Sequence, residues 1–308
     1  ACSAGHCSKR IPRWASSDRI VAGSLQTKPG RGAGASPCSG LSGKMLRRLI
    51  TGPPEDLPLS IIDPPVPAGL TVVGVGPGDP DLLTLAAVRA IERAQVVAMP
   101  VAGEGIESMA AAIASAWIRP DQRQLPLLFP MVEAASPRRD AWHRAAAAIA
   151  AEVEQGYAVV LLCEGDASLF ATASYVLLAL QQRHPRCPVA VVPGITAISA
   201  AAAAAAWPLA LQQDQLLVMP CPDQPEDLGT ALEQAAAQSR VLALLKLGRR
   251  WRWVRPLLEQ QRLLAGALFA ERVGWPDQCV RPAESMAAGE RPYFSLLLIR
   301  QGWPSVLP

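Results

Sequence analysis

The sequence predicts an α/β fold made of two α/β domains, the first with a mostly parallel sheet and the second with a mixed sheet. From residue 70 onward, short β-branched and apolar runs alternate with longer stretches of helical periodicity, which is the pattern of βαβ units. Towards the C-terminal end, the last two apolar runs are not separated by a convincing helix. Parallel neighbours are usually joined by a crossover helix, so the lack of one indicates that the second sheet is mixed.

Residues 1–69 are expected to form a poorly ordered basic extension. They are rich in Gly, Pro and Ser and lack hydrophobic periodicity, so they cannot bury enough apolar surface to offset the entropy of ordering. Residues 1–50 hold nine Lys and Arg but a single acid, Asp18. An over-extended reading frame with its true start at Met45 is one interpretation, and a transit peptide is the other.

The composition of the remaining chain disfavours several function classes. Residues 51–308 carry 20 basic and 25 acidic side chains, so the basic pI does not argue for nucleic-acid binding. No uncharged apolar run reaches the roughly 18 residues of a membrane span. The seven cysteines include no C-x-x-C pair, so neither a metal site nor a disulfide framework is indicated, and a reduced, cytoplasmic protein is expected.

The N-terminal domain is predicted to span 70–187 and the C-terminal domain 188–308, with Pro185 and Pro188 at the boundary. The apolar runs of the first domain and the start of the second predict strands at 70–75, 95–99, 124–128, 157–163 and 188–192, with helices at 81–93, 106–117, 136–155 and 169–183. The pattern then predicts helices at 196–206, 225–238 and 250–261 and strands at 215–219, 240–246, 266–272 and 293–300.

The loop after the first strand is the most informative segment. Gly74, Gly76 and Gly78 alternate with other residues and lead directly to Asp79, and Asp81 is expected to cap the helix that follows. A dinucleotide fingerprint needs a third glycine two residues beyond a G-x-G pair, on the first turn of the helix. Proline and aspartate occupy that region here, and a carboxylate repels a pyrophosphate. The loop therefore indicates a ligand other than a dinucleotide, at the carboxyl edge of the sheet.

Three further loops follow predicted strands and carry polar residues. Glu164-Gly165-Asp166 can accept hydrogen bonds from ribose hydroxyls or hold an ammonium group. Thr196 follows Pro193-Gly194 and can act either as a helix N-cap or as a ligand contact. The third segment supplies five cations in ten residues, which suit carboxylates or else form an exposed basic helix face. These cations are Lys246, Arg249, Arg250, Arg252 and Arg255.

Taken in order, the motifs at 74–84, 164–166 and 192–196 resemble those of the tetrapyrrole (corrin/porphyrin) methylase family. The resemblance covers residues 70–300. Four further features resemble the members of this family that methylate carbon 20 of precorrin-2. They are Met99-Pro100 with Glu107-Ser108, Leu162-Cys163-Glu164-Gly165-Asp166, Lys246-Leu247-Gly248-Arg249 and Pro292-Tyr293-Phe294-Ser295-Leu296. One departure is Ala167, where many relatives have proline.

The resemblance implies two α/β domains that bind S-adenosyl-L-methionine in the cleft between them, without a metal, in a homodimer. It implies that the cofactor is lined by Pro77, Glu164, Gly165, Asp166, Thr196, Ala197 and Leu247. It also implies that the tetrapyrrole, precorrin-2, is faced by Gly76, Gly78 and Asp79, and its eight carboxylates give a reason for cations at Lys246, Arg249 and Arg250.

The implied reaction is transfer of a methyl group to carbon 20 of precorrin-2, giving precorrin-3A in cobalamin biosynthesis. Alignment of the methyl group with the attacking carbon carries most of the catalysis. Asp79, Glu164, Asp166 and Tyr175 remain open as acceptors of the released proton. The alternatives are a sister methylase acting on cobalt-factor II, another corrin carbon or uroporphyrinogen-III, and a non-catalytic module that binds S-adenosylmethionine.

Overall fold

The computed structural model describes residues 68–103, 105–130 and 134–302. Within these ranges the chain forms two five-stranded sheets with helices between and around the strands, as the sequence predicts. Both sheets belong to one compact unit. The predictions for residues 1–67 lie outside the described residues.

The first sheet is entirely parallel, with the strand order β3-β2-β4-β1-β5. We call this sheet with its helices the N-terminal lobe. Its elements are β1 (Gly69–Gly74), α1 (Leu85–Arg93), β2 (Val96–Val101), α2 (Met109–Ala114), β3 (Arg123–Leu128), α3 (Ala135–Glu154), β4 (Ala158–Cys163), α4 (Thr172–Arg183) and β5 (Val189–Val192).

The second sheet is mixed, with the strand order β6-β7-β10-β8-β9, in which β6 and β7 are parallel and the other neighbours antiparallel. We call this part the C-terminal lobe. Its elements are α5 (Ala197–Ala204), β6 (Gln215–Pro220), α6 (Pro225–Ala237), β7 (Arg240–Leu245), α7 (Trp251–Gln260), β8 (Ala267–Glu271), β9 (Cys279–Pro282) and β10 (Ser295–Ile299). The prediction of a mixed sheet is confirmed, although the short edge strand β9 was not predicted.

Strand β5 follows the predicted boundary at 187/188 but pairs with β1 in the first sheet. The change from one sheet to the other therefore comes after Val192. Helix α5 comes next, and its alanines pack against the second sheet, where Ala201 contacts the same core as Ala243 and Ala270. The small alanine side chains let α5 pack closely on the second sheet, where the chain passes from one lobe to the other.

The strands of the first sheet are buried on both faces, because helices cover both sides of a doubly wound parallel sheet. All six residues of β1 are buried. Leu70 and Val72 face the core beneath α3 and α4, whereas Val73 packs on the opposite side with residues of α1 and α2. The helices packed on both faces hold the strands in place, and so fix where the loops leave the carboxyl edge of the sheet.

The first loop enters its helix differently from the prediction. Asp79 Oδ1 accepts a hydrogen bond from the Asp81 amide at 2.9 Å and so caps a single 3₁₀ turn, Pro80–Leu82. The α-helix begins only at Leu85, where the hydroxyl of Thr84 accepts from the Ala87 amide. The prediction that Asp81 caps this helix is wrong, because the Pro80 ring and the Asp79 cap close a separate turn first.

A buried ion pair joins the α5–β6 connection to the end of the last strand. Arg300 Nη1 lies 2.5 Å from Asp214 Oδ2, and the two side chains are only 2% and 10% exposed. The guanidinium also donates to the carbonyl oxygens of Pro208 and Leu209. These bonds to Arg300 hold the pKa of the Asp214 carboxyl below its usual value.

Among the described residues, no helix is both long and apolar enough to span a bilayer.

Candidate active site

The carboxyl ends of three neighbouring strands, β4, β1 and β5, place the predicted loops beside one another. The first two loops are joined by a short backbone bridge. The Gly165 amide donates to the Gly76 carbonyl at 2.7 Å, and the Gly76 amide donates back to the Gly165 carbonyl at 3.2 Å. Both glycines have positive φ, +79° at Gly76 and +67° at Gly165, which is the region that glycine adopts without steric cost.

The glycines of the second and third loops serve contacts between the loops themselves. A Cβ on Gly194 would lie 2.1 Å from the Gly165 carbonyl oxygen, and one on Gly74 would lie 2.6 Å from the Gly194 amide nitrogen. Backbone therefore packs on backbone at this point. The absence of side chains at these glycines lets the loops approach one another.

Asp166 locks the second loop to the third. Its carboxylate accepts hydrogen bonds from the Ser168 hydroxyl and amide and, through Oδ2, from the Gly194 amide at 2.8 Å. Partial burial alone would raise the pKa of Asp166, but these hydrogen bonds hold it below its usual value. The group is an anion that helps to shape the site.

The pKa of Glu164 is shifted in the opposite direction. Burial raises the pKa of its carboxyl above the usual 4.5, although hydrogen bonds from backbone amides, including that of Ala110 in α2, oppose the shift. The two carboxyls, two residues apart, therefore have environments that drive their pKa values in opposite directions. Such divergence is typical of a functional site.

A loop of the C-terminal lobe closes over the first loop of the N-terminal lobe. The Trp275 indole Nε1 donates to the Pro77 carbonyl at 3.0 Å. A Cβ on Gly78 would lie 2.5 Å from the Trp275 ring, and a Cβ on Gly274 would lie 2.5 Å from the Asp79 amide nitrogen. The absence of side chains at these two glycines thus allows the lobes to meet at the rim of the site.

Two cavities lie between the lobes. The smaller, of about 160 Å³, is lined mainly by apolar atoms and by two carboxylates. Its lining consists of Pro77, Met109, Glu164, Gly165, Asp166, Leu169, Phe170, Thr196, Ala197, Ile198, Leu245, Lys246, Arg272, Val273, Trp275, Tyr293, Phe294, Ser295 and Leu296. Six of the seven residues predicted to bind the cofactor are among them.

The larger cavity, of about 960 Å³, has walls of different chemistry. The N-terminal lobe supplies Phe129, Pro130, Arg138, Ala141, Trp142, Phe170, Thr172 and Tyr175. The C-terminal lobe supplies Pro220, Asp223, Lys246, Gly248, Arg249, Arg250, Arg252, Trp253, Arg291 and Tyr293. One wall is therefore largely aromatic, and the other carries five cations against one carboxylate.

Among the described residues, three line both cavities, namely Phe170, Lys246 and Tyr293, and we call these three the window. Phe170 and Lys246 hold φ values of +52° and +57°, a strained backbone that is typical of functional sites. The Lys246 ammonium lies 5.8 Å from the centre of the Tyr293 ring. A group held in the smaller cavity would thus meet a group held in the larger one at this window.

The loop that carries Lys246 is fixed to the strand that follows Tyr293. The Leu247 amide donates to the Ser295 carbonyl at 3.0 Å, and the Gly248 amide donates to the Ser295 hydroxyl at 3.0 Å. Arg250 adds a bond from Nη1 to the Lys246 carbonyl at 3.1 Å. These contacts define the position of the lysine backbone independently of any ligand.

The predicted site residues do not all come together. Leu247, predicted to bind the cofactor, is fully buried in the core of the C-terminal lobe and lines neither cavity. Gly76, Gly78 and Asp79, predicted to face the substrate, also line neither of the two. Gly76 forms the bridge to Gly165, and Gly78 lies beneath Trp275.

The remaining predicted residues reach one cavity or both. Tyr175 lines the larger cavity, with Arg249, Arg250 and Lys246 opposite. Arg250 is also ion-paired with Asp223. Of the five cations in this segment, Arg255 alone turns away, since its Nε donates to the Met286 carbonyl and Nη1 to Glu259.

Several residues of the cavity walls were not predicted from the sequence. Arg138 and Trp142 lie on helix α3, one turn apart, and only the tertiary fold brings them to the cavity. Arg291 lies in the loop before β10, and its Nε is buried without a hydrogen-bond partner. Tyr293 belongs to the motif at 292–296, and this motif was the sequence signal that could have placed it at the cavities.

The chain is similar in sequence to proteins of a known family. The family model for tetrapyrrole (corrin/porphyrin) methylases matches residues 69–286. The cobalamin biosynthesis protein CobIJ of Mycobacterium tuberculosis (strain ATCC 25618 / H37Rv) is 34% identical over 238 residues, which cover 75% of this chain and 45% of that protein. The chain thus spans about half the length of CobIJ.

Two shorter relatives are matched almost end to end. The cobalt-precorrin-2 C(20)-methyltransferase of Salmonella typhimurium is 32% identical over 238 residues, covering 76% of this chain and 97% of the relative. The precorrin-2 C(20)-methyltransferase of Sinorhizobium sp is 32% identical over 239 residues, covering 75% of this chain and 94% of the relative.

The crystal structure of the methyltransferase CobJ has the same fold. It superposes with a TM-score of 0.55 at 25% sequence identity, covering 76% of this chain and 94% of CobJ. The two-lobed α/β architecture predicted from the sequence is therefore confirmed, and so is the predicted family of enzymes. The extent of the family match and the two near-complete relatives lead to one conclusion: this chain belongs to the tetrapyrrole (corrin/porphyrin) methylase family.

Proposed function

We propose that this protein transfers a methyl group from S-adenosyl-L-methionine to carbon 20 of precorrin-2, producing precorrin-3A in cobalamin biosynthesis. The observation that carries the proposal is the pair of cavities that share the window of Phe170, Lys246 and Tyr293. A small, mostly apolar cavity with carboxylates suits the methyl donor. A wide cavity with a cationic wall suits a substrate with many carboxylates.

The donor set of the smaller cavity fits S-adenosylmethionine. Glu164 and Asp166 offer carboxylate oxygens to an ammonium group or to ribose hydroxyls, and the apolar side chains of Leu169 and Ile198 can enclose the adenine. When bound, this molecule supplies a methyl group on a sulfonium, which is an excellent leaving group. Asp166 is held in place by Ser168 and Gly194 before any ligand binds, so the cavity is preorganised.

The chain's own residues then act mainly by alignment. Lys246 and Tyr293 border both cavities, so they set how closely the two bound molecules approach. Arg249 is exposed on the cationic wall and is available to a carboxylate, whereas Arg250 orients the lysine loop through its bond to the Lys246 carbonyl. Positioning of this kind can supply several kcal/mol of rate enhancement, about 7–11 kcal/mol in the best intramolecular cases.

Release of a proton completes the reaction, and three of the four predicted acceptors border the cavities. Tyr175 lines the larger cavity, and Glu164 and Asp166 line the smaller. Burial raises the pKa of the Glu164 carboxyl, which brings it closer to the value that suits a general base. Asp79 caps its own turn through Asp81 and stays a prediction for this role.

The metal state of the substrate is a second point of the proposal. The two near-complete relatives are named for cobalt-precorrin-2 and for precorrin-2, at the same 32% identity. We propose the metal-free form as the substrate, with the cobalt form as the alternative. A homodimer in the cytoplasm, without nucleic acid or membrane as partner, stays a prediction.

The test is turnover with each substrate supplied separately. Purified protein is incubated with S-adenosylmethionine and either metal-free or cobalt-loaded precorrin-2, and the products are separated by mass. The proposal expects one added methyl group with the metal-free form. Tight binding of S-adenosylmethionine without turnover on any tetrapyrrole would instead identify a non-catalytic module.

A further inference from the structure

We propose that Trp142 and Tyr175 form an aromatic platform on which the conjugated face of the tetrapyrrole stacks, so that they determine how the substrate is oriented. The inference rests on the proposed function and assigns a role to Trp142 that neither the motifs nor the family match indicated. Trp142 lies on α3 and Tyr175 on α4, and both line the larger cavity.

The two rings are already stacked on each other. Their centroids are 4.2 Å apart and their planes differ by only 8°. Trp142 is partly buried, and Tyr175 is 48% exposed. Because the stacked rings cover one face of each other, only an outer ring face is open to a ligand. Tyr175 is the more exposed of the two and offers this face, while Trp142, on a helix packed into the core of the N-terminal lobe, holds it in a fixed orientation before a ligand binds.

The opposite wall has the complementary chemistry. Five cations face the platform across the cavity, and Arg291 among them has a buried Nε without a hydrogen-bond partner. A tetrapyrrole has a flat conjugated ring system and carboxylates on flexible side chains at its rim. The ring face therefore matches the aromatic wall of the N-terminal lobe, and the carboxylates match the cationic wall of the C-terminal lobe.

Arg138 adds a cation beside the platform. It lies one helical turn before Trp142 on the same face of α3, is exposed, and lines the same cavity. It supplies a cation at the edge of the aromatic surface, where a side-chain carboxylate of a stacked ring would lie. The platform thus has a polar rim as well as an apolar centre.

A stacked ring would also be directed towards the window. Phe170 joins the platform wall to the window, since it lines both cavities and its side chain is 43% exposed. A macrocycle held between the platform and the cations would therefore present one edge to the smaller cavity. Stacking on this platform selects which edge reaches the methyl donor.

The test compares ring-preserving with ring-removing variants. Trp142→Leu and Tyr175→Leu should each raise the KM for precorrin-2 by roughly 3- to 10-fold, as expected for the loss of one aromatic stacking contact, with the KM for S-adenosylmethionine unchanged. Trp142→Phe and Tyr175→Phe should keep the Kd for precorrin-2 within about 2-fold of the wild type, since a ring remains. Binding of precorrin-2, followed by tryptophan quenching, should weaken in parallel with the KM.

Three results would overturn the platform. The first is an unchanged precorrin-2 KM in Trp142→Leu, and the second is an equal rise in both KM values, which would indicate a structural role of the α3–α4 contact. The third is weakened binding of precorrin-2 in Tyr175→Phe, which would identify the hydroxyl rather than the ring as the group that holds the substrate. A wild-type protein that binds precorrin-2 but does not methylate it would refute the proposed function, while the binding data would still test the platform.

Discussion

The Trp275 indole donates a hydrogen bond to the Pro77 carbonyl oxygen, 198 residues away along the chain. This contact ties the β8–β9 connection of the C-terminal lobe to the glycine loop of the N-terminal lobe. It lies at the edge of the smaller cavity, which both residues line. The Trp275 side chain, packed on the glycine loop of the N-terminal lobe, therefore sets the separation of the two lobes at the site.

The first prediction concerns the glycine beneath that side chain. Gly78→Ala places a methyl group 2.5 Å from the Trp275 ring and 2.7 Å from the Val273 carbonyl oxygen. We expect a loss of about 1–3 kcal/mol in the free energy of unfolding and a weaker binding of S-adenosylmethionine. Denaturant unfolding and calorimetry measure the two effects.

The matched control is Gly229→Ala in helix α6. An added Cβ there meets nothing within 4 Å, so the change should stabilise the protein by about 0.5–1 kcal/mol. Equal effects of the two substitutions would contradict the role given to the Gly78 contact.

The second prediction concerns the cationic wall. Arg249→Gln should raise the KM for precorrin-2 by about 10-fold, corresponding to about 1.4 kcal/mol, because one carboxylate loses its charged partner. The Kd for S-adenosylmethionine should not change. Arg281→Gln, which removes an exposed arginine of β9 that lines neither cavity, is the control. A rise in KM that is as large in the control would show that overall charge, rather than this wall, attracts the substrate.

The third prediction concerns pH. Burial raises the pKa of the Glu164 carboxyl in the folded protein, so the folded state binds this proton more tightly than the unfolded state does. Its contribution to stability is therefore fully present below the ordinary value of 4.5 and is lost as the pH rises through the folded pKa. Glu164→Gln should flatten the dependence of Tm on pH above 4.5 and raise Tm at pH 8. A variant that melts below the wild type at pH 8 would contradict this assignment.

The fourth prediction concerns the buried ion pair. Asp214→Asn leaves the Arg300 guanidinium buried without its carboxylate, and we expect a loss of about 3–5 kcal/mol in the free energy of unfolding. The carboxyl has a lowered folded pKa, so the stability that it contributes is present above its ordinary value of 3.8 and disappears as the pH falls through the folded pKa. Urea unfolding of the wild type and the variant should therefore converge in acid, and a constant difference down to pH 2 would exclude the mechanism.

The sequence predicted the first sheet well because a strand buried on both faces leaves a continuous apolar run, as β1 does. It also located four loops at the carboxyl ends of strands, and six of seven predicted cofactor residues line one cavity. The exception, Leu247, shares a motif with Lys246 but points into the core. Which side of a motif faces a ligand depends on packing, and spacing alone does not carry that information.

The larger cavity was harder to predict for the same reason. Trp142 and Arg138 lie on a long helix whose sequence gives no sign of a ligand, and they reach the site only because α3 packs beside α4. The edge strand β9 was missed because its four residues, Cys279–Pro282, end in a proline and lack clear alternation. The larger cavity and the edge strand β9 both depend on contacts between segments that are distant in the sequence.

The most direct test of the account is the position of the transferred methyl group. The wild-type protein is incubated with metal-free precorrin-2 and S-adenosylmethionine labelled in its methyl group, and the product is analysed by NMR. We expect a single labelled methyl on carbon 20, formed at a rate that falls when Arg249 or Trp142 is replaced. A label on any other carbon, or no transfer to a tetrapyrrole at all, would contradict it.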